Sequence, residues 1–387
     1  MNRSFLLGAL LVLIPLGCGG SGTGATTGGG SSQTLTVLLG SDSNPDLQQA
    51  VLGVEKVEIS SDGSTWTTLG SPRSTGDLMG LQGGHEVTLL SNASVSRAGS
   101  YVFRLTWATT NYANGAMQAA YVVPAGSAVG YQMTMPVSTV FSGAVTVPSN
   151  GSATALLMVD SADAIQAFQG TSLTFAFNPA PTAFDLSATA SITGRLSIGG
   201  TAQQGLEAFA EVVDGAGNPY ILRRALSDAS GNYVLDGLPS QIGGLSPVIL
   251  VVAMPCSATG SFAAQGAPPV NVTAPGNYAG ADIDFSSSLT SPGNLALKVT
   301  PQTPSGSVTV ADLRQNVAFG LSSAYVIVRS QNMITSAASD NYTFSNLPSV
   351  YFGVNATRYS SAPPATVSSP SQVLVAAGTT TSVTLGF

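Results

Sequence analysis

In "YVFRLTW" (residues 101–107) every second side chain is large and apolar. Tyr101, Phe103, Leu105 and Trp107 fall on one face of an extended strand, with Arg104 and Thr106 on the other. The same period of two recurs along the chain. "NLALKVT" aligns Leu295, Leu297 and Val299, and the closing "SVTLGF" aligns Val383, Leu385 and Phe387. "VILVVAM" (248–254) is apolar at every position, which suits a strand covered on both sides. Helical periodicity is nearly absent. "NPDLQQAVLGV" is the best candidate for a short helical turn, with Pro45 where a first turn tolerates it. The expectation is an all-β protein of tandem β-sandwich-like domains.

Composition agrees with many short strands. The 44 glycines and 22 prolines break the 44% hydrophobic content into pieces. Only 8% of residues are charged, against ~25% in an average soluble domain. No apolar run after the N-terminus approaches the ~20 residues of a spanning helix. A chain of 387 residues makes room for about two to four domains. The net charge is −7, and the 12 lysines and arginines are scattered, with Arg223-Arg224 the only adjacent pair. Phosphate tracking needs clustered cations, so nucleic acid is not an expected partner.

The N-terminus, "MNRSFLLGALLVLIPLGCGG", carries Arg3, an apolar stretch from Phe5 to Leu16, then Leu16-Gly17-Cys18. The stretch is too short to span and fits a secretory signal. A small residue directly before a cysteine resembles the lipobox of bacterial lipoproteins, although Pro15 stands where that family usually has leucine. The resemblance implies that the Cys18 thiol is lipidated and the signal (1–17) removed. One acyl chain holds only reversibly and several hold durably. An ordinary signal peptide cut nearby is the alternative. Gly19 after the cysteine resembles lipoproteins sorted to the outer membrane of two-membrane bacteria, facing the periplasm or the surface. "GGSGTGATTGGGSSQ" (19–33) follows. Its Gly22-x-Gly24 lacks the strand, helix and lysine of a phosphate loop, so residues 18–33 read as a flexible tether. Cys256 then has no partner, and we expect an inert thiol without an intrachain disulfide.

From residue 34 to 188 a set of landmarks runs in order. An opening strand (34–39) leads to Asp42, then come residues 54–59, Asp62-Gly63 before Trp66, and Asp77-Leu78 with Leu81. Residues 99–105 and 147–165 complete the set. This order resembles the bacterial domain of unknown function 4382, with Met158 where that family commonly has aspartate. The resemblance implies architecture and envelope context, and no mechanism.

Two later stretches are nearly alike: "SDASGNYVLDGLPS" from Ser227 and "SAASDNYTFSNLPS" from Ser336. Gly231 supplies the positive φ a tight turn needs, and Asp340 stands in its place in the second copy. Tyr233 and Tyr342 are expected to bury their rings, with Leu238 and Leu347 closing the same core, while Pro239 and Pro348 end the strands. These segments resemble the carboxypeptidase regulatory-like domain, a transthyretin-like seven-strand sandwich. The resemblance implies one such module at 189–289 and a divergent second at 290–387, structural appendages in that family.

Catalytic constellations are not evident. His85, the single histidine, lacks a sequence-visible nucleophile and acid. Glu55 and Glu58 point to opposite faces of a strand, as do Asp160 and Asp163 if extended; a turn at Ser161-Ala162 would bring the latter two together, as an ordinary strand-end turn or, the weaker candidate, as calcium ligands with loop carbonyls. Trp66 is a candidate platform for stacking on sugar, with packing on its hairpin the plainer alternative. No cofactor is expected. These readings describe a lipid-anchored, non-enzymatic envelope protein with a structural, adhesive or ligand-binding role, held at the membrane through its lipid, with a glycan or an envelope protein as candidate partner. The rival is a hydrolase with a non-local acidic site and accessory sandwiches.

Overall fold

Gln33–Asp42 and Ser152–Asp160 lie side by side and parallel, in a register that sets Asp42 beside Asp160. Val87–Val95 flanks the first strand and Thr182–Asp185 the second, completing one sheet of the first sandwich. The facing sheet is built on Leu47–Ser60, which pairs with Gly99–Trp107 and Tyr121–Pro124 on one edge and Thr67–Gly70 and Ser74–Asp77 on the other. The core between them holds Leu35, Val37 and Leu39 against Phe103, Leu105 and Trp107. The alternation of 101–107 is thereby realised, with Arg104 on the opposite face bound to Glu58. The computed structural model describes residues 33–108, 120–149, 151–242, 244–257, 260–286, 290–304, 307–359 and 364–387. Cys18, the signal segment and the tether up to residue 32 lie outside them.

The helical turn expected near Asn44 is not formed. Asn44 makes a tight turn in which its side chain accepts from the Asp46 amide, and a strand starts at Leu47. The reason is burial: Ala50, Val51 and Leu52 are all enclosed, which a strand between two layers allows and a surface helix does not.

The second and third sandwiches repeat one layout. Thr189–Ile198 lies between Asn232–Pro239, antiparallel, and the parallel pair Gly276–Ala279 and Ile283–Phe285. Gly293–Thr300 likewise lies between Asp340–Leu347 and the parallel Thr380–Gly386. Opposite these, Pro219–Leu226, Glu207–Val213 and Val248–Ala253 form one sheet, and Ser322–Asn332, Val308–Phe319 and Tyr351–Tyr359 form its counterpart. The all-β expectation holds, in tandem sandwiches.

From Ile249 onward Val248–Ala253 is covered on both faces, as its unbroken apolar run implied, with Val248 exposed at its start. Ile249, Val251 and Ala253 enter the core of the second sandwich, while Leu250 and Val252 enter that of the third together with Phe209. A period of two therefore serves two cores from one strand. Among the described residues no helix is long and apolar enough to cross a membrane.

The near-identical segments are a bulge. In both copies the pairing shifts register just before the Leu-Pro, at Gly237 (φ 60°) and Asn346 (φ 57°). These are residue types that accept the left-handed region. The copies diverge on either side. Gly231 does take positive φ (78°), but Asp340 does not: it is extended, fully buried, and accepts from the Thr303 amide at 2.9 Å. That turn closes instead through Ser336 and Ser339. Tyr233 is buried and donates to the Ala281 carbonyl. Tyr342 is only half-buried, packs on Phe344 and donates outward to Asp46 of the first sandwich at 2.6 Å.

The difference lies in the cross-strand partner. Tyr233 faces Gly194, whereas Tyr342 faces Leu297. A Cβ at Gly194 would stand 2.2 Å from the Ala281 carbonyl oxygen and 2.6 Å from the Tyr233 hydroxyl. Gly194→Ala is therefore expected to displace the tyrosine from that carbonyl and to cost about 1–3 kcal/mol. The check is the urea midpoint at unchanged m-value. A shift below the error of the midpoint would refute the account.

Candidate functional site

Where the three sandwiches meet, their chain ends and edges bring together most of the buried charge in the described structure. Asp42 and Asp160 are adjacent because two parallel strands stop in register. Asp160 caps a single helical turn, Ser161–Ala164, accepting from the amides of Ala162 and Asp163. That turn brings Asp163 round to the same side as Asp160, the arrangement a turn at Ser161-Ala162 was expected to allow. Asn44 and Ser161 lock the two loops, with Asn44 Nδ2 donating to the Ser161 carbonyl (3.1 Å) and Ser161 Oγ to the Asp42 carbonyl (2.7 Å).

The second sandwich inserts Arg223 and Arg224, adjacent on Pro219–Leu226. The Arg224 side chain, 2% exposed, donates through Nε to Asp160 (3.1 Å) and through Nη2 to Asp163 (3.2 Å). Its Nη1 donates to the Ser330 carbonyl of the third sandwich (2.8 Å), and its backbone amide to Asp42 (3.1 Å). One guanidinium thus joins all three. Arg223 turns the other way, donating to the carbonyls of Asp236 and Gly237 in the bulge and covering the Phe184 ring. The two sandwiches of the C-terminal half are further tied by Glu211, which accepts from the Ile327 amide at 2.9 Å.

Burial sets the electrostatics. It pushes Asp42 up to about 7, against the pull of Arg223, and raises Asp163 to about 8, with repulsion from Asp160 added. Glu207, Glu211 and Asp312 are also raised, first by burial. Burial acts to lower Arg224, but the carboxylates of Asp160, Asp163 and Glu207 outweigh it and raise it. The junction therefore holds a permanent cation among acids that resist ionisation. It can clamp modules: Asp42, Asp160 and Asp163 are bound to Arg224, while Glu207 and Glu211 each use one oxygen and leave Glu207 Oε2 and Glu211 Oε1 buried without a partner.

The residues singled out by sequence are placed as follows. Asp160 and Asp163 converge, and the cation between them is the Arg224 guanidinium. Among the described residues no group of three or more His, Cys, Asp or Glu side chains is placed to hold a metal. Trp66 is half-buried, with the Arg104 guanidinium carbon 4.5 Å from its ring centroid, so an arginine of the neighbouring strand Gly99–Trp107 covers one of its faces. His85 is exposed in its loop. Cys256 is a free thiol whose pKa is raised by burial. Cys18 lies outside the described residues. Sequence reasoning passed over Asp42, Glu207 and the Arg223-Arg224 pair. The available signal was that pair itself: two adjacent cations inside an otherwise apolar strand of a charge-poor chain.

Comparison with known proteins adds little. No family model matches the chain, and no curated protein matches it. Solved structures with similarity include the TIE protein of Bacillus anthracis, at 9% identity and a TM-score of 0.20, covering 92% of this chain and 51% of that one. This chain therefore spans about half the length of that protein. Shaft pilin SpaA of Lactobacillus rhamnosus GG aligns at 10% identity and 0.21, covering 51% and 97%. A streptococcal ancillary pilin aligns at 10% identity and 0.19, covering 92% and 99%. Likeness of this size leaves the function to be argued from the chain's own residues.

Proposed function

We propose that this is a lipid-anchored, non-enzymatic protein of the bacterial cell envelope. Its three sandwiches form a stiff structural or adhesive body held at the outer membrane through Cys18. The observation that carries the reading is Arg224, which sits on the second sandwich and bonds to both the first and the third. Asp42, Asp160 and Asp163, the carboxylates that converge on Arg224, are engaged in holding modules together, as a stiff body requires. The repeated arrangement of sheets in the last two sandwiches supports their likeness to regulatory-like modules, structural in that family. The lipobox-like Leu16-Gly17-Cys18 and the Gly-rich tether after it support anchoring.

Metabolic labelling with a fatty-acid analogue tests the anchor. Wild type is expected to take the label and Cys18→Ala to lose it, with the mutant released from the membrane fraction. Unlabelled wild type would remove the lipoprotein assignment.

A further inference from the structure

Thr380–Gly386, a strand of the third sandwich, pairs in parallel with Gly293–Thr300 and stands at one end of its sheet. In the other direction the same sheet runs on through Asp340–Leu347 and Ile334–Thr335 into Ile165–Gln169 of the first sandwich. Among the described residues no strand pairs with the outer edge of Thr380–Gly386. Two hydrogen bonds show which groups that edge presents. The Phe387 amide donates to the Thr300 carbonyl at 3.0 Å, and the Thr379 carbonyl accepts from the Asn294 amide at 2.8 Å. Odd-numbered residues therefore turn their backbone groups toward Gly293–Thr300. The N–H and C=O groups of Thr380, Ser382, Thr384 and Gly386 point outward, and all four residues are exposed. Proteins ordinarily guard such an edge with a lysine, a proline or a bulge. This strand has no charge and no proline, and its pairing with Gly293–Thr300 runs without a register shift.

We propose that this edge pairs with the same edge of a second copy of the chain, antiparallel and about a twofold axis at Val383. In that register Ser382 lies opposite Thr384 of the second copy, and Thr380 opposite Gly386. The outward N–H and C=O groups of the two strands then satisfy one another. Charge and order decide the occupant. With no charged side chain, the strand selects neither an acidic nor a basic peptide, and it does not repel its own copy. Hydroxyls, glycine and valine are what meet across the pair, and hydroxyl pairs add hydrogen bonds of their own. The second copy also presents its strand already ordered by Gly293–Thr300, whereas a loose peptide would first have to be ordered. The same edge serves both copies, so the contact is isologous and closes at two. The pairing is independent of the anchor at Cys18: a lipidated protein that fails to dimerise would leave the anchor standing.

The experiment sediments the full-length protein in density-matched detergent. An edge of 7 residues buries less than the ~1,200 Å² of a standard interface, so a reversible dimer is expected as the protein concentration rises to about 100 μM. Thr384→Pro removes an outward N–H, and Ser382→Lys sets a charge on each side of the pair. Both variants are expected to stay monomeric at unchanged Tm. Ser382→Lys decides the matter if Thr384→Pro folds poorly. Val383→Cys places two thiols across a non-hydrogen-bonded pair, with Cα atoms ~4.5 Å apart and within disulfide reach, so mild oxidation is expected to give a covalent dimer. Ser382→Cys meets its copy only diagonally, at ~7–8 Å, and is expected not to cross-link. Wild type, which carries the same free Cys256, is the cross-linking control. Wild type that stays monomeric, dimers that persist in both Thr384→Pro and Ser382→Lys, or cross-linking at Ser382→Cys with none at Val383→Cys would each overturn the proposal.

Discussion

Replacing Arg224 with methionine is expected to cost about 3–5 kcal/mol, a large part of the ~5–15 kcal/mol that holds an ordinary domain together. The size follows from what is left behind. Without the guanidinium, Asp160 and Asp163 lose their shared donor, and the Ser330 carbonyl loses its partner at the boundary with the third sandwich. Uncompensated buried charge is the costly case. The carboxyls can relieve part of it by taking up protons, so the loss should be larger at pH 8 than at pH 5. Arg224→Lys should recover little, because a point charge cannot meet two carboxylates and a carbonyl in the planar arrangement a guanidinium offers. Adding Asp160→Asn and Asp163→Asn to Arg224→Met should restore part of the stability while keeping the Asp160 cap, since an asparagine oxygen still accepts from the helical turn. Urea unfolding measures all of this. A methionine variant within about 1 kcal/mol of wild type would mean the junction is a surface ion pair in effect, and the stiff-body reading would go with it.

How much of this was legible beforehand depended on the range of the interaction. Strands announced themselves locally, through alternation at 101–107 and 295–299. Even the double burial of Val248–Ala253 could be read from an apolar run without gaps. The repeat was visible because it is carried by a few contiguous residues, but it read as a tight turn, and the bulge at Gly237 and Asn346 before Leu-Pro came only with the strand pairing. Asp340 and Tyr342 were misplaced because their surroundings come from elsewhere: Thr303 and Arg358 for the aspartate, Leu297 and Asp46 for the tyrosine. The Asn44 turn was misread for a related reason, since a period that suits a helix gives way when packing buries residues 50–54 on both faces of the strand. The junction was the least legible part. Asp42, Asp160, Arg224 and Ser330 are brought together by a parallel register and by sheet-on-sheet packing, neither of which leaves a local motif. What remained was an oddity of composition, two arginines where apolar residues were due.

The same burial predicts an unusual pH profile. Asp42 titrates at about 7 in the folded protein and near ~3.9 when unfolded. Between those values the native state binds a proton that the unfolded chain has released, so stability falls as pH rises. The contribution is fully present below the unfolded value and is lost as pH climbs through the folded one. Three units at ~1.4 kcal/mol each set an upper bound of about 4 kcal/mol for this group. Asp163, also raised by burial and by Asp160, acts in the same direction, although its carboxyl is 37% exposed and water screens part of its effect. Asp236 joins them: burial and its contact with Glu86 raise it to about 8. Glu58 runs the opposite way. Its hydrogen bond from Arg104 lowers it, a contribution present above its unfolded value and lost as pH falls below ~4. Stability should therefore peak near pH ~4, close to the unfolded carboxyl values, and decline from there toward pH 8, where many proteins with salt-bridged carboxylates hold steady. Asp42→Asn keeps the acceptor for the Arg224 amide and removes the proton, so it should flatten the decline between pH 5 and 8. A wild-type profile that rises or stays level over that interval would show that Asp42 is ionised in the native state, stabilised by Arg223 and Arg224 more strongly than burial opposes it.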